Sequence, residues 1–277
     1  MNIFESILLG LVQGLSELLP ISSSGHLSIL QYFFGIEGES VLVYAVLLHL
    51  GTLFSIFAVY YRDILELLME LMAVFRDVLT GKGLRVRANE TRTLGFMIIV
   101  ATIPTGIAGV VGNDLFSDMY QSLVIIGIGL LVTGTLLWFS EHRGSGKKSL
   151  REMNFLDAFL VGIFQSIAIT PGISRSGSTI VGSLFSGLNR ELAVRFAFLI
   201  SIPAILGAVV LEAPKAFAAG VSPELFLPIA TGVLVAAVSG FIAIKTMIRV
   251  VTNRKLFLFS YYTWMVGALV IGYALIK

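Results

Sequence analysis

The chain has 277 residues, 56% of them hydrophobic and only 13% charged, against about 25% charged in an ordinary soluble domain. That composition excludes a soluble globular enzyme and predicts a polytopic membrane protein. A net charge of +2 is too small for nucleic-acid binding, and the lack of cysteine excludes disulfides, thiolate metal sites and a cysteine nucleophile.

In chain order, residues 3–19 and 28–34 are apolar, but each is too short or too polar for a comfortable span of about 20 residues. Pro20 and the run Ser22, Ser23, Ser24, Gly25 break the helix between them. They read as a re-entrant helix, loop and helix. The first run carries Gln13 and Glu17 and has no basic leader, so a cleaved signal peptide is not expected. Residues 41–61 predict a full span ending in Tyr60, Tyr61 and Arg62, an interfacial signature. Ile64, Leu67, Leu68, Leu71, Met72, Phe75 and Leu79 then recur at helical spacing, with Glu66, Glu70 and Asp77 between them. That pattern predicts an amphipathic helix lying at the membrane interface.

Further spans are expected at 93–112, 121–139, 193–211, 225–248 and 256–276. A second broken segment, 155–187, is interrupted by Pro171, Gly172 and a polar run at 174–179. Basic residues gather in three connections: Lys82, Arg85, Arg87 and Arg92; Arg143, Lys147, Lys148 and Arg151; Arg249, Arg254 and Lys255. The connection at 113–120 holds Asp114 and Asp118 and no basic residue. The positive-inside rule then puts all three basic connections in the cytoplasm. The expected architecture is one all-α integral membrane domain of six transmembrane helices plus two re-entrant segments, with both termini outside.

The halves 1–140 and 154–277 match at a constant offset of 152, pairing Gly10 with Gly162, Gln13 with Gln165, Gly25 with Gly177 and Gly35 with Gly187. The same register pairs Glu39 with Glu191 and Ala45 with Ala197. The topology starts the halves on opposite sides, which makes an inverted repeat whose broken elements meet near the midplane.

Polar groups at that depth are costly unless they face a cavity or each other, so the two breaks are candidate halves of one site. Gln13 and Glu17 share a helix face. Ser22 and Ser24 suit helix caps, whereas Ser23 and His26 pair a hydroxyl with a base that could activate it. In the second break Ser174, Arg175, Ser176, Gly177, Ser178 and Thr179 place a guanidinium fork and free helix amides where an anion would bind. A structural ion pair between Arg175 and Glu17 competes with that role. Glu191 and Glu39 suit helix starts, and His49 reads as a satisfied core histidine.

At these residues the chain closely resembles the undecaprenyl-diphosphate phosphatase family of the bacitracin-resistance type, through GLVQGLSELLPISSSGHL and PGISRSGSTI. The resemblance implies a plasma-membrane enzyme that cleaves the terminal phosphate from a polyprenyl diphosphate lipid. That lipid is also the target of bacitracin. It further implies a site open to the outer face, a divalent cation (Mg2+ or Ca2+), and Glu17, Ser23, His26, Ser174, Arg175, Ser176 and Thr179 as site residues. The family position that varies between glutamate and glutamine is Gln13 here, which leaves Glu17 as the one carboxylate of the first motif available to the cation. The expected mechanism has Ser23 attack phosphorus with His26 as its base, with His26 itself or a Glu17-activated water as rivals. Homo-oligomerisation is left open. The alternative class is a transporter or channel, since paired broken helices also bind anions there; the serine, histidine and arginine grouping favours the enzyme.

Overall fold

The computed structural model describes residues 2–34, 39–142, 146–219 and 223–276. The chain opens with α1 (Ile3–Leu18) and α2 (Ser23–Phe34), then α3 (Glu39–Val59), α4 (Tyr61–Leu79), α5 (Glu90–Val111), α6 (Asn113–Met119) and α7 (Leu123–His142). It continues with α8 (Phe155–Ile167), α9 (Arg175–Phe185), α10 (Arg190–Ala219), α11 (Phe226–Thr252) and α12 (Phe257–Ile276). Among the described residues the only β pairing is an isolated bridge between Lys148 and Leu188. Helices α5, α7, α10, α11 and α12 are long and apolar enough to cross a membrane, and 46–59 of α3 form a shorter apolar stretch. The pairs of Gly35 with Gly187, of Glu39 with Glu191 and of Ala45 with Ala197 rest partly on residues or side chains outside the described set.

Local chemistry starts α1 and α8 in the same way. Asn2 caps α1 in a reciprocal box with Glu5, and Asn154 caps α8 in a box with Asp157, each satisfying amides that a helix start leaves orphaned. The packing is also duplicated. A Cβ on Gly10 would stand 2.4 Å from the Gly232 carbonyl oxygen of α11, and one on Gly162 would stand 2.3 Å from the Ala101 carbonyl oxygen of α5. Apolar burial drives little association between helices already in lipid, so such close backbone approach carries the packing. Between α7 and α12, Gly127 and Gly267 face each other, and an added Cβ on either would lie about 3 Å from the other's carbonyl oxygen.

The helix α4 shows the amphipathic pattern its spacing predicts, with its polar side turned inward. Leu65, Leu68, Met69, Met72, Phe75 and Leu79 are exposed. On the other side, Glu70 and Asp77 bind the buried Arg92 of α5, and Asp63 accepts from Arg195 Nε of α10 at 2.7 Å. The Arg92 hydrogen bond holds the Asp77 carboxyl below its usual range. Glu70 and Asp77, which the pattern places between the apolar positions, and Asp63 are therefore partners for two arginines of the bundle.

The basic connections are tied to one another. Arg87 donates to the Arg151 and Met153 carbonyls, and Arg151 pairs with Glu90 at 2.6 Å. Arg190 pairs with Glu141 at 2.8 Å and donates to the Val251 carbonyl, while the Leu256 amide donates to Glu141.

If close backbone approach holds α1 on α11 and α8 on α5, Gly10→Ala and Gly162→Ala should each lower the thermal midpoint in detergent, at a cost of about 1–3 kcal/mol. Gly106→Ala, whose Cβ meets nothing within 4 Å, should not lower it. Three indistinguishable melting curves would refute this packing account.

Candidate functional site

The site is assembled where the two breaks meet. α1 stops before Pro20 and α2 restarts at Ser23, so the serines at 23 and 24 and Gly25 lie in the first turn of a helix. Likewise α9 begins at Arg175, and its polar run is helical. Both restarts come earlier than Ser/Gly-rich runs suggest because a serine caps each one. Ser22 Oγ accepts from the Gly25 amide at 3.2 Å, and Ser174 Oγ accepts from the Gly177 amide at 3.2 Å. Ser22 takes φ 70°, a left-handed conformation that costs a non-glycine residue about 1–2 kcal/mol. The breaks then pack on each other, Gly25 on Gly172 and Gly177 on Pro20. Ser176 Oγ adds a hydrogen bond of 3.1 Å to the Leu19 carbonyl. Thr133 of α7 holds the second break from outside, donating to the Gly172 carbonyl and accepting from the Ser174 amide, each at 3.0 Å.

Glu17, 6% exposed, is the hub. Its Oε2 accepts from Gln13 Nε2 at 3.3 Å and from the Ser23 hydroxyl, and lies 3.5 Å from His49 Nε2. Its Oε1 faces Arg175 Nη1 at 3.6 Å. That separation is too long for a hydrogen bond, and Nη1 is buried with no hydrogen-bond partner. Gln13 Oε1 is also buried without one. A small cavity opens at this point, lined by Glu17, Leu18, Arg175, Ser176, Thr179, Ala197, Phe198 and Ser201.

The structure thus brings Gln13, Glu17, Ser23, Arg175, Ser176 and Thr179 together, in contact with Glu17 or around the cavity. Ser22, Ser174 and Gly177 are spent on capping and packing. Ser178 is buried, with its amide bonded to the Ser174 carbonyl, and it does not line the cavity. Ser23 donates to Glu17, while His26 turns away, with Nδ1 2.8 Å from the Ser22 carbonyl oxygen and Nε2 2.8 Å from the Tyr262 hydroxyl. His49 reads from sequence as a core histidine, yet it stands on the hub. One signal was available: the offset of 152 pairs it with Ser201, a second polar group in a matching apolar helix, and the structure places Ser201 on the cavity beside Glu17.

A carboxylate accepting from a serine hydroxyl, beside a guanidinium with unmet donor capacity, can hold an anionic group and remove a proton from an attacking oxygen. Comparison with known proteins points to the same chemistry. Residues 6–269 match the family described as bacitracin resistance protein BacA. The chain is 54% identical to an undecaprenyl-diphosphatase of Alkaliphilus metalliredigens over 100% of both chains. It is 42% identical to one of Carboxydothermus hydrogenoformans over 98% of this chain and 97% of that one, and 41% identical to one of Halothermothrix orenii over 98% of both. With a match across nearly its whole length and both motifs at the meeting point of its broken helices, the chain belongs to the bacitracin resistance protein BacA family.

Proposed function

We propose that this protein hydrolyses undecaprenyl diphosphate to the monophosphate and inorganic phosphate, returning the carrier lipid to use in cell-wall synthesis and conferring bacitracin resistance. The observation that carries this reading is that the Ser23 hydroxyl and the Arg175 guanidinium, with its unsatisfied Nη1, converge on Glu17 beside a cavity that Glu17 and Arg175 line at the start of α9.

In this mechanism Arg175 and the first amides of α9 hold the terminal phosphate and stabilise the charge that builds on it. Ser23 Oγ bonds the terminal phosphorus, its proton passes to Glu17, and the bridging P–O bond breaks to release the prenyl monophosphate. Water then attacks the phosphoserine. The hydrogens of that water and the proton on Glu17 end on the Ser23 oxygen and on inorganic phosphate. The hydrogen bond from Ser23 to Glu17 supports Glu17 as the base, the role that the residue pattern assigns to His26.

A divalent cation fits this donor set as a partly hydrated ion. Among the described residues no three His, Cys, Asp or Glu side chains cluster to hold a metal. Glu17 and the unpartnered Gln13 Oε1 are the two hard oxygens that would hold it, with water and substrate phosphate completing the shell. Such a cation supplies charge neutralisation on the diphosphate. Gln13→Glu should therefore keep phosphate release and lower the magnesium concentration giving half-maximal rate, by adding a second carboxylate. An unchanged or weaker magnesium requirement would remove position 13 from the ion.

The finer architecture belongs to the same proposal: six spans, two re-entrant segments, an inverted repeat, and a site facing outside. Matching caps on α1 and α8, matching glycine contacts on α11 and α5, and the mutual ties among the basic connections support it. In this cysteine-free chain, cysteines placed at Asn113 and Ala216 should react with an impermeant reagent added to intact cells, and one at Ser145 should not. Labelling at Ser145 would reverse the orientation.

Arg175→Lys keeps the charge and loses the two-point fork, so phosphate release from a long-chain prenyl diphosphate should fall at least about 100-fold in a folded protein. Were the residue only the ion-pair partner of Glu17, lysine would largely replace it. The Arg175→Ala/Glu17→Ala double variant would also regain stability lost by either single change, since the cost lies in one charge left buried alone. Near-normal turnover by the lysine variant rules out the clamp.

A further inference from the structure

His26 is the chemically capable side chain of the first break that the Glu17 hub does not engage, and its ring is held from both sides. Nδ1 lies 2.8 Å from the Ser22 carbonyl oxygen, which can only accept, so this nitrogen carries the hydrogen. In the neutral ring Nε2 then bears the lone pair, and the Tyr262 hydroxyl donates to it across 2.8 Å. The two rings also stack, with centroids 5.6 Å apart and planes 9° from parallel. Tyr262 belongs to α12, so this contact ties the first break to the last helix of the chain. Ser23 and His26 lie three residues apart on α2, on neighbouring positions of one helix face. The basic nitrogen of His26 therefore sits one turn from the hydroxyl that the phosphatase reading makes the nucleophile, with a phenol proton on its lone pair.

We propose that Tyr262 is a positioning residue for the hydrolysis, acting through His26: its hydroxyl donates to Nε2 of the ring whose tautomer the Ser22 carbonyl sets, and so fixes the imidazole across the seam between α2 and α12. Through His26 the first turn of α2, which carries Ser23, is then held in one orientation against α12. This inference rests on the phosphatase reading for its effect on turnover, while the tether itself is observable without turnover. Exposed phenols in membrane helices often serve only as interfacial anchors. Here the stacked, hydrogen-bonded geometry assigns this one a specific partner.

Tyr262→Phe keeps the stacked ring and removes only the donor. For phosphate release from a long-chain prenyl diphosphate, kcat should fall about tenfold, with KM within about twofold and an unchanged thermal midpoint. The Tyr262→Phe/His26→Ala double variant should be no slower than His26→Ala alone, because the hydroxyl acts through the imidazole. With 15N-labelled histidine, the His26 resonances should report the Nδ1–H tautomer in both proteins, held by the Ser22 carbonyl, and the Nε2 resonance should shift in Tyr262→Phe as its hydrogen bond is lost. Full kcat in Tyr262→Phe overturns the proposal, and so does a loss that persists undiminished in the His26→Ala background. A wild-type protein that releases no phosphate overturns the phosphatase reading instead, and the His26 resonances then decide the tether: no response to Tyr262→Phe refutes it.

Discussion

A carboxylate inside an apolar bundle is the constraint on which the rest of this structure depends. Burying one ion costs several kcal/mol unless other groups compensate, and Glu17 draws its compensation from four elements. Gln13 comes from its own helix, Ser23 from α2, His49 from α3 and Arg175 from α9. Satisfying one charge thus fixes where two broken segments and a long helix stand relative to each other. The compensation is incomplete in a particular way. Arg190 with Glu141 and Arg92 with Asp77 make closed pairs at 2.8 and 2.9 Å with added hydrogen bonds. Arg175 stands off at 3.6 Å with an unsatisfied Nη1. Of these three pairs, the two tight ones lie away from the cavity and the loose one faces it.

The scaffold is used twice while the chemistry is used once. Under the offset of 152 the caps Asn2 and Asn154, the glycines 10 and 162, the break residues Pro20 and Gly172, and the serine caps 22 and 174 all correspond. In the same register Glu17 falls on Ile169, Ser23 on Arg175 and His26 on Ser178. Backbone requirements are alike in both halves, since each needs a broken helix with a capped restart and close packing. Side chains are free to differ, because the two breaks pack directly on each other and one copy of each polar group then serves both.

Much of this was legible in the sequence. Hydropathy located the long helices, and Pro20 and Pro171 located the breaks, because a missing amide and a fixed φ act locally. The grouping of Glu17 and Ser23 with Arg175 was legible through the two motifs. What escaped depends on contacts between distant segments. Helix restarts at Ser23 and Arg175 were hidden because serine and glycine disfavour helix interiors, while a serine cap makes the same residues acceptable in a first turn. The amphipathic pattern of α4 specified two faces without saying which one meets the protein. His49 and Tyr262 looked like ordinary members of apolar helices, and only their partners on α1 and α2 distinguish them.

Gln13 shows how the repeat helps to weigh an isolated observation. Its Oε1 is buried and unpartnered, which alone would mark a vacant ligand position. Its counterpart Gln165 has the same orphaned oxygen, although its amide nitrogen donates to Thr105 at 3.0 Å and a carboxylate is absent from the matching turn. An unsatisfied glutamine oxygen is therefore a property of this position in both halves and does not by itself indicate an ion. What separates the two glutamines is the neighbour four residues on, Glu17 in one half and Ile169 in the other. Any affinity of Gln13 for a cation must come from sharing it with that carboxylate, which places its contribution downstream of Glu17.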